Sequence, residues 1–255
     1  MTTNAIRGSD YRIDYNFAVA RGSVPGSRPF SGYGLKTTTG ADSGVLWPNG
    51  AFVFPAAAGV QISFVSTSVQ DAAAGTGIRT LDMHYLDADL IERVEVIALN
   101  GTTPVLSVVT NVRYIQCLHM VTWGSGKAAA GNISASNAGN THSYISTGAV
   151  RCTSSMRMVP AGKRLLVQAM HAGSISGTAA ASTLVNAVTA TFDGHDFTSA
   201  NVFVPIASAA FQDGSSGIQI PSPPSFTEGM SFGFTFSTDK AATIAGSWFG
   251  ILEDI

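Results

Sequence analysis

The chain has 255 residues, 45% of them hydrophobic and only 12% charged, about half the charged fraction of an average globular protein, with a net charge of −2. Such apolar content excludes general disorder, and a near-neutral balance whose densest basic run is Lys163-Arg164 excludes the footprint of a nucleic-acid binder. No apolar stretch reaches the ~18 residues of a membrane-spanning helix, and the opening Met1-Thr2-Thr3-Asn4-Ala5-Ile6-Arg7-Gly8 lacks the apolar core of a secretory signal.

Residues 1–45 read as an extended N-terminal arm. Ile13 to Ala20 alternates with a strand-like period of two. From Arg21 to Gly34 the density of proline and glycine forbids a helix or a central strand. Within this arm Phe17, Val24, Pro25, Phe30, Tyr33 and Leu35 are the candidate docking residues, packing either on the chain's own domain or on a neighbouring subunit. In the docking reading, a chain without residues 1–45 folds but no longer joins its partner.

From Trp47 onward the pattern is β. Alternation predicts strands at 59–66, 79–86 and 93–99, with Asp87-Ala88-Asp89 at a hairpin tip and Asn100-Gly101 in a tight turn. Further strands are expected at 104–109, 111–123, 130–136, 142–146, 153–159 and 163–172, the last two joined by a Pro160-Ala161-Gly162 turn. The C-terminal part offers 183–193, 200–208, 229–238 and 243–253, and no convincing amphipathic helix occurs. The expected fold is all-β: an antiparallel β-sandwich or jelly roll over residues 46–255, preceded by the arm.

Catalytic templates fail on inspection. Gly173-Ser174-Ile175-Ser176-Gly177 puts isoleucine where a nucleophile elbow needs serine. Gly75-Thr76-Gly77 lacks the third glycine of a dinucleotide loop, and no His-Glu-x-x-His pairs the five histidines. Asp193-Gly194-His195-Asp196 reads as a turn rather than a cation site, because a calcium ion needs more oxygens than it supplies. Cys117 and Cys152 fit no metal or redox spacing. They are read as two buried thiols, with a disulfide left to geometry. No catalytic residue, cofactor or metal is assigned. If exposed, Trp47, Trp123 or Trp248 could stack on sugars, although buried core is the default for tryptophan in a β chain.

A succession of short motifs carries a family resemblance. Asp71-Ala72-Ala73-Ala74-Gly75-Thr76-Gly77-Ile78-Arg79-Thr80 is followed by Tyr85-Leu86-Asp87-Ala88-Asp89, Glu95 and Leu99-Asn100-Gly101-Thr102-Thr103-Pro104-Val105. Gly131-Asn132-Ile133 and Val159-Pro160-Ala161-Gly162-Lys163 come later, and Val19 to Gly26 reads Val-Ala-Arg-Gly-Ser-Val-Pro-Gly. In this order the motifs resemble virion structural proteins of tailed bacteriophages over most of residues 17–170, with a departure from the family pattern after Gly26. The resemblance implies a non-enzymatic particle component, foremost a capsid (head) decoration or cement subunit. The alternatives are a tail or fibre component, including a receptor- or carbohydrate-binding module, and a hydrolase. It implies assembly in the host bacterial cytoplasm into the virion. Its partners would be other copies of itself, possibly as a trimer, and the major capsid protein or tail proteins, with neither nucleic acid nor membrane. Low charge fits a subunit whose surface its neighbours cover.

Overall fold

The computed structural model describes residues 14–176, 180–192, 195–196, 198–218 and 224–255. It is an all-β antiparallel fold with one short helix, α1 (Tyr15–Ala20). The strands follow in chain order: β1 (Ser27–Thr37), β2 (Asp42–Val45), β3 (Ser63–Ser66), β4 (Ile78–Asp87), β5 (Glu92–Ala98), β6 (Val105–Leu106) and β7 (Val112–Trp123). Then come β8 (Ile133–Asn137), β9 (Asn140–Ile145), β10 (Arg157–Met158), β11 (Lys163–Ser176), β12 (Ser182–Thr189), β13 (Thr191–Phe192) and β14 (His195–Asp196). The last are β15 (Val204–Gln212), β16 (Gly214–Ile218), β17 (Ser225–Thr227), β18 (Ser231–Thr238) and β19 (Ala242–Asp254).

Two sheets form a sandwich from the two ends of the chain. One runs β1-β19-β11-β16, with β17 also on β11; the other runs β10-β18-β12-β15, with β2 also on β18. Period-two burial sends Leu165, Val167, Val185, Phe232, Phe234, Ile244 and Trp248 between them. The stretch between β2 and β10 is inserted into this sandwich and makes a second pair of sheets, β6-β3-β8-β9 and β5-β4-β7. Its own core holds Ile62, Phe64, Leu81, Met83, Ile97, Leu118 and Ile133. A third cluster, with Trp47, Phe52, Phe54, Leu86, Tyr114 and Met158, joins the two. The expectation of one large sandwich over 46–255 is therefore corrected. Periodicity reports which face of a strand is buried but not which sheet covers it.

The arm is also corrected. Residues 15–20, expected as a strand, are a helix: the Asp14 side chain accepts from Asn16 N (2.8 Å) at its start. Gly22, at φ +69°, ends it, with Gly22 N donating to Val19 O and Ser23 N to Ala18 O. A run of six apolar and small residues satisfies either period, so the caps decide. Ser27–Thr37 pairs residue for residue with β19, from Ser27↔Glu253 to Thr37↔Thr243. Position 45 thus lies inside the sandwich, and Val45, Leu46 and Trp47 are core residues. Pro29 is tolerated because β1 is an edge strand. Gly32 and Gly34 are needed for close approach: a Cβ on Gly32 would collide with Ser155 O and the Trp248 ring nitrogen, and one on Gly34 with Leu46 O.

Cys117 and Cys152 form a disulfide, Cα–Cα 5.7 Å, which corrects the reading of two thiols. Cys152 N donates to Leu118 O (3.0 Å) and Met120 N to Val150 O (3.0 Å), so a segment 35 residues downstream is laid along β7. Spacing in the sequence gives no hint of that pairing.

Candidate functional site

The motif residues converge on a buried carboxylate. Asp71 is fully buried; its Oδ1 accepts from Ile78 N (2.8 Å) and Ala130 N (2.9 Å). Its Oδ2 accepts from Gly131 N (2.9 Å) and the Ser66 hydroxyl (2.6 Å). Its backbone carbonyl accepts from Gly101 N (2.7 Å). One residue therefore ties together the 71–80 loop and the Gly131-Asn132-Ile133 segment through its side chain, and the Asn100-Gly101 turn through its carbonyl. Next to it, Asn132 Oδ1 accepts from Thr147 N (2.9 Å) and its N–H donates to Thr67 Oγ1 (2.9 Å).

The Asp87 hairpin works in the same way. Asp87 Oδ1 accepts from Ile91 N (2.9 Å) and Asp89 N (3.1 Å), and Oδ2 from Arg93 Nε (3.0 Å). Burial would raise this carboxyl, but the bond from Ile91 N and the Arg93 guanidinium outweigh it and hold it below the ordinary carboxylate range. The hairpin tip meets the Pro160 turn where Ala161 N donates to Leu90 O (3.0 Å). The Asp71 and Asp87 carboxylates thus position backbone.

The candidate docking residues differ in exposure. Phe17 is exposed on α1, Val24 is half-buried and Pro25 is exposed. Phe30 packs edge-on against Trp248, ring centroids 5.8 Å apart, on the sandwich core. Leu35 is half-buried and Tyr33 is exposed. Of the tryptophans, Trp47 and Trp248 are buried and Trp123 is 45% exposed at the end of β7. Other large apolar side chains stand exposed on the inserted sheets, Val94, Val96 and Leu106, and Val108 on the loop after β6. Of the Asp193–Asp196 cluster, His195 and Asp196 form β14 and pair with β13, while Asp193 and Gly194 lie outside the described residues. Among the described residues, no three His, Cys, Asp or Glu side chains gather as a metal-holding group, and no helix is long and apolar enough to cross a membrane.

One concave feature has no counterpart in the sequence pattern. A cleft of about 400 Å³ opens between β1 and the outward face of β5-β4-β7, reaching the Cys117–Cys152 disulfide. Arg28, Arg93, Arg151 and Arg157 line it, with Tyr33 and Glu92 at its sides. His84 and His119 meet edge to face within it, centroids 4.9 Å apart. Burial lowers the His119 pKa from its ordinary value; His84, Arg151 and Arg157 act in the same direction, and Asp82 opposes them. No local motif marks this cleft, because its arginines come from three separate stretches of the chain: Arg28, Arg93, and Arg151 with Arg157.

The chain matches no protein-family model and no curated protein. Among solved structures it is similar to the Gx strain of infectious bursal disease virus at 12% identity and TM-score 0.25, over 89% of this chain and 72% of that one. It is also similar to the VP2 subviral particle of that virus at 8% identity and TM-score 0.21, covering 89% and 71%. The Gt strain gives 8% identity and TM-score 0.19, covering 90% and 77%. Likeness at these scores carries no argument about function.

Proposed function

We propose that this chain is a non-enzymatic structural subunit of a tailed-bacteriophage particle, decorating the head. The observation that carries the reading is that the residues of the resemblance, Asp71, Gly77, Asn100-Gly101 and Gly131-Asn132, meet in one buried backbone clamp. Motifs spent on holding loops together belong to a scaffold. Low charge and the exposed Val94, Val96, Leu106 and Val108 add a surface suited to association. The subunit self-associates as a closed cyclic oligomer, such as a trimer, and meets the major capsid protein. Quantitative gel densitometry of purified virions tests this. A head protein is present in on the order of hundreds of copies, whereas a tail component is present in roughly six to eighteen. A tail-like copy number overturns head decoration, and absence from purified particles overturns the whole reading.

A further inference from the structure

Four of the chain's ten arginines line the cleft beside β1, in a protein of net charge −2. Two of them are neutralised within the fold: Arg28 by Glu92, and Arg93 by Asp87 at 3.0 Å. Arg151 and Arg157 have no carboxylate within ion-pair distance among the described residues. Arg157 Nη1 donates to Ser154 O (2.9 Å) and Met156 O (2.8 Å). Its Nε and Nη2 donate to no described residue, and Arg157 lines the cleft. A guanidinium drawn out of bulk water beside a second one, with no counter-charge, is costly unless an anion completes it. Burial lowers the Arg157 pKa, and Arg151 adds to that. Phe30, Ser31, Tyr33 and Tyr85 complete the lining, so apolar and neutral polar residues adjoin the arginines.

We propose that this cleft is a binding site for an oxyanion, a carboxylate or sulfate carried on a small polar ligand, held between Arg151 and Arg157. The guanidinium forks supply paired donors suited to two oxygens of one anionic group. The site is independent of the structural-subunit reading and can stand or fall separately.

The test is calorimetric titration of the full chain with sodium sulfate, sodium acetate, sodium glucuronate and glucose, at ionic strength matched with sodium chloride. Sulfate and glucuronate bind, and glucose does not. Arg151 is exposed and bonds no described side chain, so Arg151→Ala retains the fold and weakens both anions by about tenfold, the loss of one charge-assisted interaction. Arg151→Glu abolishes binding, while Arg164→Ala, which faces Glu253 outside the cleft, leaves it unchanged. Glucuronate binding tighter than acetate assigns the oxyanion to a sugar acid; equal binding assigns the site to the oxyanion alone, and both support the proposal. Absence of binding by any of the anions, or affinity that Arg151→Ala and Arg151→Glu leave unchanged, overturns it.

Discussion

Replacing Asp71 with alanine tests the clamp on which the scaffold reading rests. The substitution removes the side-chain acceptor of three backbone N–H groups, those of Ile78, Ala130 and Gly131, and of the Ser66 hydroxyl. Each stranded buried donor costs about 1–3 kcal/mol. Water entering the space left by the carboxylate recovers part of the sum, so we expect a net loss of about 4 kcal/mol. That is a large share of the roughly 5–15 kcal/mol that holds a typical domain folded. Asp71→Asn keeps one acceptor oxygen but turns an NH₂ donor toward other donors, and should lose about half as much. Urea unfolding, followed by fluorescence of the buried Trp47 and Trp248, gives both values. Hydrogen exchange at Ile78, Ala130 and Gly131 should accelerate ahead of the core strands. An Asp71→Ala protein within about 1 kcal/mol of the parent would refute the reasoning. If that variant does not fold, the Asp71→Asn value decides, and a negligible loss there has the same meaning.

Gly34→Ala forces a methyl group against Leu46 O and should destabilise by about 2–3 kcal/mol, read as a lower urea midpoint at unchanged slope. Deleting residues 1–45 removes one of the two partners of β19 together with β2, so the truncated chain should lose its cooperative thermal transition rather than persist as a folded domain. The disulfide closes a loop of 35 residues, and replacing Cys117 and Cys152 together by alanine should cost about 3–4 kcal/mol by loop entropy, seen as a lower melting temperature. His142, whose Nδ1 meets Val53 O at 2.9 Å, and His119 are both held below the ordinary 6.5, chiefly by burial. The unfolded chain therefore binds more protons as the pH drops through 6.5, so their contribution is complete above that value and is lost on acidification. The urea midpoint should fall between about pH 7.5 and 5.5, and more shallowly in His142→Gln.

Strand content follows from local pattern, because alternate side chains must face opposite sides of a sheet whatever covers them. The hairpin at Asp87 and the turns at Asn100 and Pro160 are likewise local, set by dihedral preferences of a few residues. Segments dominated by proline and glycine mislead, since β1 reads as an arm until one sees that Gly32 and Gly34 admit the Ser155 and Leu46 backbones. Asp71 illustrates the boundary well. Its place in a small-residue loop is visible from the chain, but its function as a clamp requires Ala130 and Gly131, some sixty positions away, to arrive beside it.

The same division explains the low charge and the cleft. Composition alone shows that charges are few, and hydrophobic alternation alone shows an all-β chain, since both are properties of neighbouring residues. Tertiary packing alone divides the chain into two layered units, joins Cys117 to Cys152, and gathers Arg28, Arg93, Arg151 and Arg157 around one opening. Each of these depends on contacts between distant segments, whose cost in chain entropy only the assembled cores repay, and no local pattern encodes which distant segment will arrive.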